Sequence, residues 1–171
     1  SIVRYGNVIN SRGSVIPFFI EKIKAKEKYL PITHPEVTRF FMTIEQGVNF
    51  VLNSLLRMKG GEIFIPKCPS IKITDLAKML KKNVLFKTIG LRPGEKIHEV
   101  LCPQEDARNT IEFKTFYIIQ PTINFGRKKN YKIISNKEKG KFVKKNFEYT
   151  SNKNISKISN NVINNLIKES S

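Results

Sequence analysis

Tryptophan is absent from this chain, and cysteine and histidine occur only twice each. Cys68 and Cys102 stand far apart, and neither has a Cys or His neighbour at metal-ligand spacing. Neither a disulfide framework nor a metal site is expected, and both thiols read as reduced, as in a cytoplasmic protein. No run of 18 or more apolar residues occurs, so no membrane-spanning helix is expected. The opening residues Ser1-Ile2-Val3-Arg4-Tyr5 lack the basic and then apolar pattern of a signal peptide. They begin directly in a strand-like run, as in a chain cut from something longer. Acidic residues are scarce as well, with 14 Asp and Glu against 31 Lys and Arg, a formal charge of +17. What is present suffices for a core: 171 residues, 40% of them hydrophobic, including 12 Phe. That is one domain, or one and a half small ones, and not a disordered chain.

A basic chain raises the question of nucleic acid. The charge is uneven: from Arg127 onward there are twelve basic residues and three acidic ones. The same stretch is rich in Asn and Ile, the residues that A+T-rich codons supply, so genome composition alone could produce the bias. No RNP-like aromatic motif, zinc finger or helix-turn-helix pattern accompanies the lysines. A solvated basic surface is the favoured reading, with a nucleic-acid site over 127–171 as the less favoured one.

Strands and helices alternate along the chain, which argues an α/β fold. Residues 2–9 are apolar and β-branched and read as one buried strand. Ser14 stands where it could cap a helix from Val15 to about Lys26, with Pro17 tolerated in its first turn. Leu30 to Thr33 reads as a short strand, and His34 to Arg39 as a loop that brings Arg39 inward. Thr43 and Gln46 form a capping box for a helix whose apolar positions, Val48, Val51, Leu52, Leu55 and Leu56, follow 3,4-spacing. Gly60-Gly61 ends it. Residues 62–66, 83–90 and 116–121 read as further strands, 73–80 as a second helix and 159–169 as a terminal helix. Residues 127–150 carry few structural signals.

The polar residues with chemical potential sit in three loops. Arg92-Pro93-Gly94-Glu95-Lys96-Ile97-His98-Glu99 surrounds a Pro-Gly reversal with ionisable side chains, more than a turn requires. Gly6-Asn7 lies in the first strand segment, where α/β folds gather ligands at carboxyl ends, and the Asn amide both donates and accepts. Thr33 and Arg39 flank the loop between them. Two arginines, an amide, a hydroxyl and a carboxylate suit a sugar linked to a diphosphate. Each has an ordinary reading too: Asn7 closing a turn, Thr33 on an edge strand, Arg39 paired with Glu36, the Arg92 turn a solvated loop.

These residues sit within longer matching stretches. Val3-Arg4-Tyr5-Gly6-Asn7-Val8, Ser11-Arg12-Gly13-Ser14-Val15-Ile16-Pro17-Phe18-Phe19, Thr43-Ile44-Glu45-Gln46-Gly47-Val48-Asn49-Phe50-Val51-Leu52 and Gly60-Gly61-Glu62-Ile63-Phe64-Ile65-Pro66-Lys67 resemble the second half of an extended short-chain dehydrogenase/reductase. The narrower resemblance is to the inverting UDP-N-acetylglucosamine 4,6-dehydratases of pseudaminic acid biosynthesis (PseB-like). CapD-like epimerases, similar in the first motif, are the alternative. The likeness runs in order over about residues 1–122 and continues more loosely to the end.

The resemblance implies the C-terminal part of a Rossmann-like fold with its substrate-binding domain. Residues 1–13 would form a late Rossmann-type strand and cofactor-side loop, 14–126 the nucleotide-sugar-binding region, and 127–171 a basic segment with a terminal helix. It implies an NADP-dependent lyase that oxidises the sugar at C4, eliminates water across C5 and C6 and returns hydride to C6. It further implies a homo-oligomeric, cytoplasmic protein of surface-polysaccharide or flagellin-glycosylation chemistry. Asn7, Val15, Thr33, Arg92 and Glu95 would contact the UDP-sugar and Arg39 its diphosphate. Val8, Ile9, Asn10, Ser11 and Arg12 would line the nicotinamide end of NADP. The family's glycine-rich fingerprint and its Tyr-x-x-x-Lys pair upstream of Asn7 are not in these 171 residues. No catalytic residue is therefore assigned, and the chain alone is expected to bind and not to catalyse. A non-catalytic UDP-sugar-binding module is the second alternative. The missing early strands are expected to leave strand edges and apolar faces uncovered, favouring self-association.

Overall fold

The computed structural model describes residues 1–123, 130–131 and 138–153. The chain forms two compact units, each assembled from separated segments. The expected terminal helix over 159–169 lies outside the described residues.

The first unit comprises Ser1–Gly6, Ile44–Cys68 and Val100–Thr150. It contains β1 (Ile2–Val3), and the later strands β5 (Ile63–Pro66), β8 (Val100–Cys102), β9 (Thr110–Glu112), β10 (Phe116–Ile119), β11 (Lys141–Phe142) and β12 (Tyr149–Thr150). Five of them make one sheet in the order β1-β5-β10-β9-β11. β1 runs parallel to β5, and every other pairing in that sheet is antiparallel. β12 pairs antiparallel with β8, Tyr149 opposite Cys102. The core gathers Phe64, Ile111, Phe113, Phe116, Ile118 and Tyr131, with Phe113 and Phe116 stacked at 4.7 Å. β8, β9, β11 and β12, and a 3-10 turn over Gln104–Asn109, add to what the sequence suggested.

Helix α2 (Ile44–Arg57) belongs to this unit. The face that packs is small and mixed. Gly47 and Ser54 are buried, Phe50 meets Phe116 edge-on at 6.2 Å, and the Arg57 guanidinium lies 4.7 Å over the Phe116 ring. These positions recur at 3,4-spacing, one stripe of the helix. The apolar stripe read from the sequence lies elsewhere on the helix: Val48, Val51, Leu52, Leu55 and Leu56 are 42% to 75% exposed.

The second unit comprises Asn7–Thr43, Pro69–Glu99 and the described part of 151–171. Its strands are β2 (Asn7–Val8), β3 (Tyr29–Ile32), β4 (Thr38–Met42), β6 (Ser70–Lys72) and β7 (Leu85–Thr88), and its helices α1 (Val15–Lys24) and α3 (Ile73–Leu80). β4 lies between β2, which is parallel to it, and β6, which is antiparallel. β3 and β7 run parallel, Tyr29 opposite Leu85 through Ile32 opposite Thr88. The core is aliphatic and aromatic, with Ile16, Phe19, Leu30, Ile32, Val37, Phe41 and Leu76 buried together.

Three local expectations change. The strand expected over 2–9 is two short strands separated at Arg4–Gly6, one in each unit. A run of β-branched residues specifies extended backbone, but not one continuous partner. Thr38 and Arg39 lie in β4 and not in a loop, and all five residues of that strand are buried. Ser14 occupies the N-cap position of α1, yet its side chain makes no capping hydrogen bond.

Candidate functional site

The start of β2, the carboxyl ends of β3 and β7 and the amino end of α1 converge on one cavity of about 310 Å³ within the second unit. Asn7, Val15, Thr33, Arg39, Arg92 and Glu95 all line it, although 85 positions separate the first from Arg92. Phe18, Phe19, Ile32, Val37 and Ile73 supply apolar lining. A concave site that combines apolar lining with convergent polar groups has the composition of a small-molecule pocket.

The Arg92 turn is built as its sequence demands. The Glu95 amide donates to the Arg92 carbonyl at 2.9 Å, with Pro93 and Gly94 between. Gly94 has φ +77°, the positive value that a type II turn requires after proline. The turn then folds its own carboxylate inward. Glu95 Oε1 accepts from the Thr33 hydroxyl at 2.8 Å and from Arg39 NH2 at 3.1 Å. Glu95 Oε2 accepts the Arg92 amide at 3.1 Å. Burial would raise the Glu95 carboxyl, but the Arg92 amide, the Thr33 hydroxyl and the positive charges of Arg39 and Arg92 outweigh it. The carboxyl is held below its ordinary value.

Arg39 is committed to the protein. Its NH1 donates to the carbonyls of Thr38 at 2.8 Å and Ile97 at 3.1 Å. Its side chain is 10% exposed and pairs with Glu95, with Glu99 a further 3.5 Å contact at Nε. Glu36, the partner that sequence proximity suggested, is paired with Lys72. Sequence separation misled here because β4 points Arg39 toward the 92–99 segment, which Thr38 joins through a parallel bridge to His98.

The five cofactor-side residues fall differently. Val8 ends β2, and the Ile9 side chain lies in the apolar core of the unit. Asn10, with φ +63°, Ser11 and Arg12 are exposed in the turn before α1. None of the five lines the cavity.

Two lining groups were not assigned to the site from the sequence. Ser14 lines the cavity, while its Oγ is sealed from solvent and has no hydrogen-bond partner among the described residues. His34 lines the cavity and accepts the Glu36 amide on Nδ1 at 3.1 Å, which puts the proton of the neutral ring on Nε2. Both cysteines are buried free thiols, and burial pushes Cys68 up to about 11 and raises Cys102 as well. Among the described residues no cluster of His, Cys, Asp or Glu could hold a metal ion, and no helix is long and apolar enough to cross a membrane.

The mixed α/β fold, with a polar-rimmed pocket beside the carboxyl ends of β3 and β7, is a Rossmann-like piece of the extended short-chain dehydrogenase/reductase fold. Residues 1–121 match the family model described as polysaccharide biosynthesis protein, and the chain belongs to that family. It is 51% identical over 154 residues to the inverting UDP-N-acetylglucosamine 4,6-dehydratase of Campylobacter jejuni, a match covering 90% of this chain and 46% of that protein. A UDP-glucose 4-epimerase of Rickettsia canadensis is 42% identical over 135 residues, 76% of this chain and 38% of its own. The crystal structure of Pen from Bacillus thuringiensis superposes with a TM-score of 0.75 at 33% identity, covering 98% of this chain and 49% of that one. The chain spans about half the length of the curated relatives it matches.

Proposed function

We propose that this chain is the nucleotide-sugar-holding part of an inverting UDP-N-acetylglucosamine 4,6-dehydratase. The observation that carries the reading is convergence: six residues from four separate chain segments line one cavity. Arg92, whose side chain forms no ion pair among the described residues, supplies a guanidinium fork for the diphosphate. Asn7, exposed where it lines the cavity, offers its amide to sugar or base. Thr33, Glu95 and Arg39 form a prearranged polar wall, and the partly buried Phe18 supplies apolar surface against a flat ring. The reaction of the whole enzyme would be loss of water across C5 and C6 of the sugar, with inversion at C5. A CapD-like epimerase or a UDP-sugar-binding module uses the same pocket, and the relatives include both dehydratases and epimerases.

NADP, the cofactor implied by the resemblance, would meet Val8 to Arg12 at its nicotinamide end, but no cradle for its pyrophosphate stands before α1. A pyrophosphate cradle needs several backbone amides opened by clustered glycines before a helix. The turn before α1 has Gly13 alone, and Pro17 removes an amide from the helix's first turn. The sugar can be held here, while hydride chemistry requires residues that these are not. The whole enzyme would be cytoplasmic, homo-oligomeric and placed on the route to pseudaminic acid.

Titration calorimetry with UDP-N-acetylglucosamine tests the reading. Binding is expected, and Arg92→Ala should weaken it by roughly ten- to a hundredfold, the worth of a charge-assisted hydrogen bond. Absence of binding at millimolar ligand, or an unchanged Arg92→Ala, would count decisively against it. Binding that persists without any turnover when NADP is added separates holding from catalysis.

A further inference from the structure

The pocket wall from Arg92 to Glu99 is secured from behind by residues outside the cavity. Ser151 is fully buried, and both its backbone groups and its hydroxyl are engaged. Its amide donates to the Glu99 carbonyl at 2.9 Å, and its carbonyl accepts the Ser70 hydroxyl. Its Oγ accepts the Glu99 amide at 2.9 Å, lies 2.6 Å from Thr38 Oγ1 and donates to the Thr38 carbonyl at 3.1 Å. Thr38 Oγ1 in turn lies 2.9 Å from His98 Nδ1. The Thr38 amide donates to the Ile97 carbonyl, so the end of the wall is fixed at three consecutive residues.

Making all three hydroxyl and imidazole contacts at once admits a single order of protons. Three contacts need a donor: Ser151 Oγ with the Thr38 carbonyl, Thr38 Oγ1 with Ser151 Oγ, and His98 Nδ1 with Thr38 Oγ1. A carbonyl only accepts, so the single Ser151 proton goes there. The Thr38 proton must then go to Ser151. The contact between Thr38 and His98 is left to be supplied by His98, through a proton on Nδ1. In the neutral ring Nε2 then carries a lone pair. His34 is fixed in the opposite form, because its Nδ1 accepts the Glu36 amide.

We propose that Ser151 is a positioning residue for the ligand-binding wall: through Thr38 it holds His98 as the Nδ1-protonated tautomer and fixes residues 97–99 behind Arg92 and Glu95. Its effect on binding rests on the nucleotide-sugar reading; its effect on His98 does not. The segment around Ser151 thereby becomes part of the binding apparatus without touching the ligand.

The chain has two histidines, so a long-range ¹H–¹⁵N correlation spectrum at pH 8 reads both tautomers at once, with His34→Gln assigning them. The wild type should show one ring of each kind, His98 with its proton on Nδ1. In Ser151→Ala the Thr38 proton is released to donate to His98, and the ring should switch to the Nε2-protonated form. Thr38→Ser, which retains the hydroxyl, should keep the wild-type tautomer. Affinity for UDP-N-acetylglucosamine should fall about three- to tenfold in Ser151→Ala, as for loss of one buried hydrogen bond. Two identical tautomers in the wild type, or a His98 ring indifferent to Ser151→Ala, would overturn the proton ordering. An unchanged affinity alongside a switched tautomer would overturn the positioning role. If Ser151→Ala fails to fold, the wild-type and Thr38→Ser spectra still decide the ordering. If the wild type binds no UDP-sugar, the nucleotide-sugar reading and the positioning role both fall, while the spectra judge the ordering alone.

Discussion

Arg39 and Arg92 line the same cavity, yet their environments predict opposite phenotypes. Arg39→Ala removes donors to two backbone carbonyls and to Glu95, within a strand whose five residues are all buried. The Glu95 side chain is 19% exposed, so its negative charge would be left largely desolvated with only the Thr33 hydroxyl and the Arg92 amide. Breaking a buried pair by removing one partner costs about 3–5 kcal/mol. The contact with Glu99 adds little, because that side chain is 38% exposed at 3.5 Å. Solvent screening at Glu95 argues for the lower end, about 3 kcal/mol. Small proteins unfold with a urea slope of about 1–3 kcal/mol per molar, so the midpoint should move down by about 1–3 M. Arg92→Ala, on an exposed turn, should change stability by less than about 0.5 kcal/mol. Arg39→Lys should not restore stability, since a point charge cannot serve two carbonyls and a carboxylate at once. Urea unfolding followed by circular dichroism measures all three variants. An Arg39→Ala midpoint within about 0.3 M of wild type would refute the assignment of Arg39 as an internal tie, given those slopes.

Glu95 has a folded-state carboxyl below its ordinary value of 4.5, so its contribution to stability is present above that value and is lost as pH falls through the lowered one. Glu95→Gln should therefore flatten the acid side of the stability profile below about pH 4.5, and an unaltered acid limb in chemical denaturation would contradict this. Replacing Leu52 and Leu56 together by Gln on the exposed stripe of α2 should reduce self-association in sedimentation velocity without lowering the unfolding midpoint. A lower midpoint would mean that this stripe is packed. The Cys68 thiol, buried and pushed up to about 11, should react with a thiol reagent at pH 8 only when the protein opens. Labelling at the rate of an exposed cysteine would show that the β5 end of the first unit is not closed.

Local chemistry made part of this structure legible. Pro93-Gly94 specified a reversal, and the structure has the matching hydrogen bond and positive φ. The helix over 73–80 was readable because its apolar positions follow one period and its ends fall at strand-like residues. What could not be read was partnership. The strand pattern at 2–9 shows extended backbone but not that Arg4–Gly6 divides it between two units. The apolar stripe of α2 announced burial, while the packed face is the one bearing Gly47, Ser54 and Arg57. Periodicity shows that a helix has an apolar face; which face meets this chain depends on shape against Phe116. Ser151 was not singled out in sequence, being a small residue in a Lys- and Asn-rich stretch whose role arises from Thr38 and the backbone of Glu99, distant in sequence.

The site residues divide by whether their hydrogen-bonding capacity is already used. Thr33, Arg39 and Glu95 satisfy one another, so a ligand adds little to them and would have to compete for what they share. Asn7 and Arg92 are exposed where they line the cavity. A ligand can bond to such exposed groups without displacing an internal partner, so affinity should concentrate on Asn7 and Arg92. The self-satisfied group serves a different end, since a wall that is already ordered spares the ligand the entropy of ordering it. By that argument the sequence motif around Arg92 contains two functions in four residues: Arg92 reaches the ligand, and Glu95 keeps the turn that presents it in place.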